Sequence, residues 1–109
     1  MRTLYHATNP ENVISHILAE GLKPGAMGCI FFCENEKDCL TYFLMHNPGK
    51  HEVAIIPIEF TNEEISKMGI NIDNNPKYTP KAYAYNGVIE KERIPGLLSI
   101  KKYVIDGKD

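Results

Sequence analysis

The chain has 109 residues, a net charge of −2 and a pI near 6.1, with 43% apolar and 24% charged residues. That length fits one domain, burying roughly two-thirds of the unfolded surface, enough for one core. The charge balance excludes the strongly basic footprint of a general nucleic-acid binder, and Lys23, Lys37, Lys50, Lys77 and Lys81 are scattered rather than clustered. No apolar run approaches the ~20 residues of a membrane helix. Three cysteines, Cys29, Cys33 and Cys39, form an odd set with no signal peptide ahead of them. This argues against a disulfide framework and for a cytoplasmic protein. The Cys29-x-x-x-Cys33 spacing suits zinc, but no second Cys or His pair follows at a finger-like interval, so buried free thiols are the simpler reading.

In chain order, Leu4-Tyr5 reads as a short strand edged by Met1 to Thr3. A helix opens at Thr8 or Asn9, where Thr8-Asn9-Pro10-Glu11 has the form of a capping box and Pro suits the first turn. Val13, Ile14, Ile17 and Leu18 share one helical face, Gly21 stops the helix and Pro24 prevents a restart. A loop over 23–28 leads to an apolar, aromatic strand, Cys29 to Cys33. Glu36 to Met45 reads as a second helix with Cys39, Leu40, Phe43 and Leu44 on its core side, and His46-Asn47-Pro48-Gly49 as a turn.

Glu52 to Phe60 has the strongest strand pattern; Pro57 cannot donate to a ladder, which predicts an edge or a bulge there. Thr61-Asn62-Glu63-Glu64 repeats the capping box and opens a short helix through Met68. The polar stretch 69–80 reads as an irregular loop. Lys81 to Tyr85 reads as a strand, Asn86-Gly87 as a turn, and Val88-Ile89 with Ile94 as a short apolar return around a solvated Glu90-Lys91-Glu92-Arg93. A last strand spans Leu98 to Ile105. With no repeat, low-complexity tract or linker, the class is α+β in a single domain over 1–109.

Several of these segments, taken in order, are similar to the ADP-ribosyltransferase superfamily. The strand ending in Tyr5-His6-Ala7-Thr8 resembles that family's Tyr-His-Gly-Thr. Ile14…Ile17-Leu18-Ala19-Glu20-Gly21-Leu22 matches its "Ile…Ile…Gly-Leu" helix, and Gly28-Cys29-Ile30-Phe31-Phe32 its Gly-Ile-Tyr-Phe strand. Cys39-Leu40-Thr41-Tyr42 stands for the helix carrying the second signature aromatic, and Gly87-Val88-Ile89 through Ile94 for the C-terminal "Gly-x-Ile" segment.

The resemblance implies a split β-sandwich of two antiparallel sheets with a few flanking helices, and NAD as substrate. It implies NAD contacts at His6, Ala7, Thr8, Phe31, Phe32 and Tyr42, with His6 on the nicotinamide ribose and Tyr42 against the nicotinamide ring. ADP-ribose would pass to a macromolecular acceptor, protein or nucleic acid, or NAD would be hydrolysed. His6, Tyr42 and Glu90 are the implied catalytic residues. The chain departs from the family where the carboxylate belongs, because Lys81 and Ala82 hold those positions and Glu90 follows the Gly, reaching the site only if its loop folds back. Three options follow: a transferase that recruits another acid, an RNA 2′-phosphotransferase-like enzyme, or a catalytically inactive binding module or inhibitor. With only Arg2 and Arg93 as arginines, the second is short of phosphate contacts. No nucleophile elbow, phosphate loop or HExxH is present. Gly21, Gly25 and Gly28 follow a helix, so they do not form a dinucleotide-binding fingerprint.

Overall fold

The computed structural model describes residues 2–24, 28–47, 49, 51–72, 81–96 and 99–104. Lys50, Lys77, the 73–80 part of the polar stretch, Gly25, Pro48, and the Leu98 and Ile105 ends of the last strand lie outside these residues, as do the side chains of Ile14, His46 and Lys81. The architecture is α+β, two three-stranded antiparallel sheets with a few helices. The first sheet has the order β1 (Arg2–Thr8), β3 (Glu52–Phe60), β6 (Lys101–Val104). The second has the order β2 (Ile30–Phe32), β5 (Lys81–Tyr85), β4 (Gly69–Ile72). Their seam is a reciprocal backbone bridge: Tyr5 N–H donates to Cys33 O at 2.8 Å and Cys33 N–H to Tyr5 O at 2.9 Å.

β3 organises the interior. Its register with β1 runs unbroken from Arg2↔Phe60 to Thr8↔Ala54, so there is no bulge at Pro57. Instead β6 covers only Glu52 to Ile55, which leaves Pro57 on a local edge where its missing N–H costs no ladder bond. Alternation along β3 then fills two cores. Ala54, Ile56, Ile58 and Phe60 join Leu4, Val13, Ile17, Phe32, Tyr83 and Ile89 on one face. Val53 and Ile55 join Cys33, Cys39 and Ala82 under Leu40, Phe43 and Tyr103 on the other.

The helices follow their caps. β1 runs on through Thr8, which is buried; the N-cap is Asn9, whose side chain accepts from Glu11 N–H at 3.2 Å, so the expected Thr8 cap gives way to its neighbour. Short α1 (Pro10–Asn12) and α2 (Leu18–Glu20) are joined by a π-helical turn, Val13–Ile17. Within that turn Ser15 Oγ donates to Glu11 O at 2.7 Å, a side-chain bond competing for the carbonyl four residues back. Gly21 ends the segment at φ +83°. Leu22 and Ile89 then exchange backbone bonds of 2.8 and 2.9 Å.

α3 (Glu36–His46) is capped by Asn35, which accepts from Asp38 N–H at 2.8 Å. α4 (Asn62–Lys67) carries the expected reciprocal box, with Glu64 N–H to Thr61 Oγ1 at 3.1 Å and Thr61 N–H to Glu64 Oε1 at 2.9 Å. The stretch read as a loop from Gly69 instead begins with strand β4, because Ile70 and Ile72 alternate and find partners Tyr83 and Lys81 on β5. The Glu90–Arg93 segment is a short 3₁₀ turn (Lys91–Arg93), and Arg93 is not simply solvated. Its guanidinium grips Glu64 at 2.7 and 3.0 Å, reaches Glu59 O at 2.7 Å and lies 5.2 Å over the Phe60 ring.

Candidate functional site

A cavity of about 510 Å³ opens where the C-terminal half of β1, the end of the π-helical segment, β2 and α3 converge. The wall includes His6, Ala7 and Thr8 from β1, Phe31 from β2 and Tyr42 from α3, so five of the expected contact residues are brought together. Tyr42 and Phe31 meet with ring centroids 5.9 Å apart, tilted by 39°, and form an aromatic flank.

Two expected residues lie elsewhere. Phe32 is fully buried, edge-on to Phe60 at 5.0 Å, and belongs to the core. Strand alternation turns the Phe32 ring into the first core, where it also stands 5.6 Å from the His6 ring, while Phe31 turns toward Tyr42. Glu90 is exposed and caps the 3₁₀ turn, and it is not on the cavity wall. On β5, Ala82 is buried in the second core.

His6 is held in a defined state. Its Nδ1 lies 2.9 Å from Phe31 O, and a carbonyl can only accept, so Nδ1 carries the proton. Burial pushes the ring's pKa below the ordinary histidine value, outweighing the Phe31 carbonyl, which favours the charged form. At neutral pH the ring is therefore uncharged, and Nε2 keeps a lone pair that accepts a hydrogen bond.

Sequence reasoning missed four polar wall residues: His16, Glu20, Lys23 and Asn47. Glu20 pairs with Lys23 at 3.3 Å, both largely exposed at the rim. Among the described residues, Glu20 is the acid and Lys23 the ammonium on this wall. The i, i+4 spacing of His16 and Glu20 was a usable signal, since such residues share a helical face. The Gly21 stop carried a second one. A Cβ there would meet Ile89 O at 2.2 Å, so only glycine lets the segment dock this closely and fix Glu20's backbone.

All three cysteines line the same cavity, Cys33 and Cys39 buried and Cys29 half-buried. Among the described residues, no group of three or more His, Cys, Asp or Glu side chains is placed to hold a metal ion, so the Cys29–Cys33 spacing has no completing ligands there. No helix among the described residues is long and apolar enough to cross a membrane. Compared with protein-family models and with curated proteins, the sequence matches none.

Proposed function

We propose that this chain is an ADP-ribosyltransferase-like protein that binds NAD in the His6–Tyr42 cavity and transfers ADP-ribose to a macromolecular acceptor or to water. The observation that carries the reading is the convergence of a neutral, oriented His6 and the Phe31–Tyr42 aromatic flank on one cavity wall. The split into two antiparallel sheets agrees with it.

The chain's groups fit such a ligand. His6 Nε2 accepts from a ribose hydroxyl, and the Phe31 and Tyr42 rings offer faces to a planar aromatic amide. Lys23 supplies positive charge at the rim, where phosphates of an extended ligand would emerge. Bound NAD supplies an activated ribose that becomes cationic as nicotinamide departs. For the acid missing from β5, the candidate on this wall is Glu20, which would have to leave its pairing with Lys23 to stabilise that charge. Glu90, exposed and off the wall, serves only if its turn moves. The phosphotransferase alternative is disfavoured because both arginines are committed elsewhere, Arg2 to Glu34 and Arg93 to Glu64.

The test is a calorimetric and thermal-shift titration with NAD on the wild type, His6→Ala and Tyr42→Ala. Saturable binding is expected, weakened by about 1–3 kcal/mol in His6→Ala because a buried polar partner is left unmet. No binding at millimolar NAD would defeat the reading and leave a binding module for another ligand. Binding without turnover, in wild type and Glu20→Gln alike, would establish the catalytically inactive alternative.

A further inference from the structure

The thiols of Cys33 and Cys39 are unused by the NAD reading, yet their placement is specific. Cys33 closes β2 and is tied by its backbone to Tyr5, while Cys39 sits in the first turns of α3. Cys39 Sγ–H donates to Tyr5 O at 3.3 Å, so both cysteines converge on the residue preceding His6. Cys33 N–H donates to the same Tyr5 O at 2.9 Å, so the Cys39 sulfur and the Cys33 backbone meet at one carbonyl. Both cysteines belong to the second core, at 2% and 3% exposure, and both also line the cavity, the side from which a small solute would approach.

We propose that Cys33 and Cys39 are an oxidisable dithiol on the cavity wall, taking small hydroperoxides as substrate and closing reversibly to a disulfide. The pair is asymmetric, which sets the order of events. The interaction with Cys39 pulls the Cys33 thiol down, against its burial and the nearby Asp38 and Glu34 carboxylates. The interaction with Cys33, with burial, pushes Cys39 up. With its proton held on Tyr5 O, Cys39 stays a thiol, so Cys33 is the nucleophile and Cys39 the resolving thiol.

The Cys33 sulfur attacks the peroxide, the O–O bond breaks and one oxygen leaves as water or an alcohol, giving a sulfenic acid at Cys33. The Cys39 sulfur then attacks Cys33; an S–S bond forms, the S–O bond breaks, and the hydroxyl leaves as water with the Cys39 proton. Two electrons pass from the two thiols to the peroxide. Closure removes the Cys39 S–H bond to Tyr5 O, so the oxidation state is felt at the sheet seam and one residue from His6.

The experiment treats the full chain with near-stoichiometric hydrogen peroxide, then uses intact mass and peptide mapping with thiol alkylation. Wild type and Cys29→Ser should each lose the mass of two hydrogens, map a Cys33–Cys39 link and recover with dithiothreitol. Cys39→Ser should stall as a sulfenic acid at Cys33, trapped by dimedone, and Cys33→Ser should form no link and leave Cys39 alkylatable. Oxygen addition without hydrogen loss in Cys29→Ser would overturn the proposal, as would a link through Cys29 in wild type or sulfenic acid appearing first at Cys39. None of these readouts depends on NAD, so the proposal stands or falls separately from the transferase reading.

Discussion

The two faces of β3 are built differently. One is packed with Ile56, Ile58 and Phe60 against Leu4, Phe32 and Ile89, all at most 1% exposed, and is closed at its rim by the Arg93–Glu64 clamp. The other carries Val53 and Ile55 against two thiols and a small Ala82, with α3 lying over them beside the cavity. Aromatic rings meet edge-on inside the first core, whereas Phe31 and Tyr42 of the second lean over an opening. Both faces of β3 are closed, with Val53 and Ile55 as buried as Ile56 and Ile58; the room for a ligand lies beyond this strand, between β1, β2 and α3.

The sharpest way to break this division is Phe60→Ala. It deletes a fully buried ring that touches Phe32, Tyr85 and the Arg93 guanidinium, and should cost about 3–5 kcal/mol in urea unfolding. A loss below ~1 kcal/mol would mean that the packed face is not where stability resides. Next is Gly21→Ala, which joins the two regions because Gly21 clamps the cavity-lining segment onto Ile89. With φ +83° and ψ −170°, a conformation kept for glycine, plus the clash with Ile89 O, it should destabilise by about 2 kcal/mol or more. It should also disturb the cavity; unchanged stability by thermal melting would refute the clamp.

The smallest effect separates the faces by pH. The folded protein disfavours protonated His6, so the unfolded chain binds more protons; stability is full above the ordinary histidine value of 6.5 and falls as pH drops below it. His6→Gln should abolish that first decline. The Arg93 guanidinium holds the Glu64 carboxyl below its usual 4.5, so the clamp's contribution, about 1 kcal/mol at most, persists to lower pH and is lost as pH falls through the depressed value. A single decline below 4.5, with nothing between 5 and 6.5, would remove His6 from the ledger.

Much of the frame was legible. The apolar run from Val53 to Phe60 could only be a strand, and Thr61 with Glu64 announced a capped helix that formed as written. His6, Phe31 and Tyr42 stood in recognisable segments and share one wall. β4 was hidden because Asn71 and the Asn- and Pro-rich residues after it outweigh the alternation of Ile70 and Ile72, and a strand's fate depends on a partner. The two-residue period says that Phe31 and Phe32 point opposite ways but not which of them enters the core, and that was decided by Phe60 on another strand. Glu20 was harder: a π-helical turn, with no sequence rule of its own, precedes it, and its place on the cavity wall depends on elements distant in sequence. Arg93 looked solvated because Glu64, Glu59 and Phe60 are distant in sequence.

The order of the strands has a consequence for how the molecule comes into being. β1 pairs with β3, β3 with β6 and β2 with β5; among the described strands, only β4 and β5 are both neighbours in the chain and partners in a sheet. Most loop closures must therefore be completed before any ladder rewards them, which places this chain among slow folders for its size. During synthesis β2 must wait for β5, so until Lys81–Tyr85 emerges, the apolar strand carrying Phe31 and Phe32 has no ladder partner.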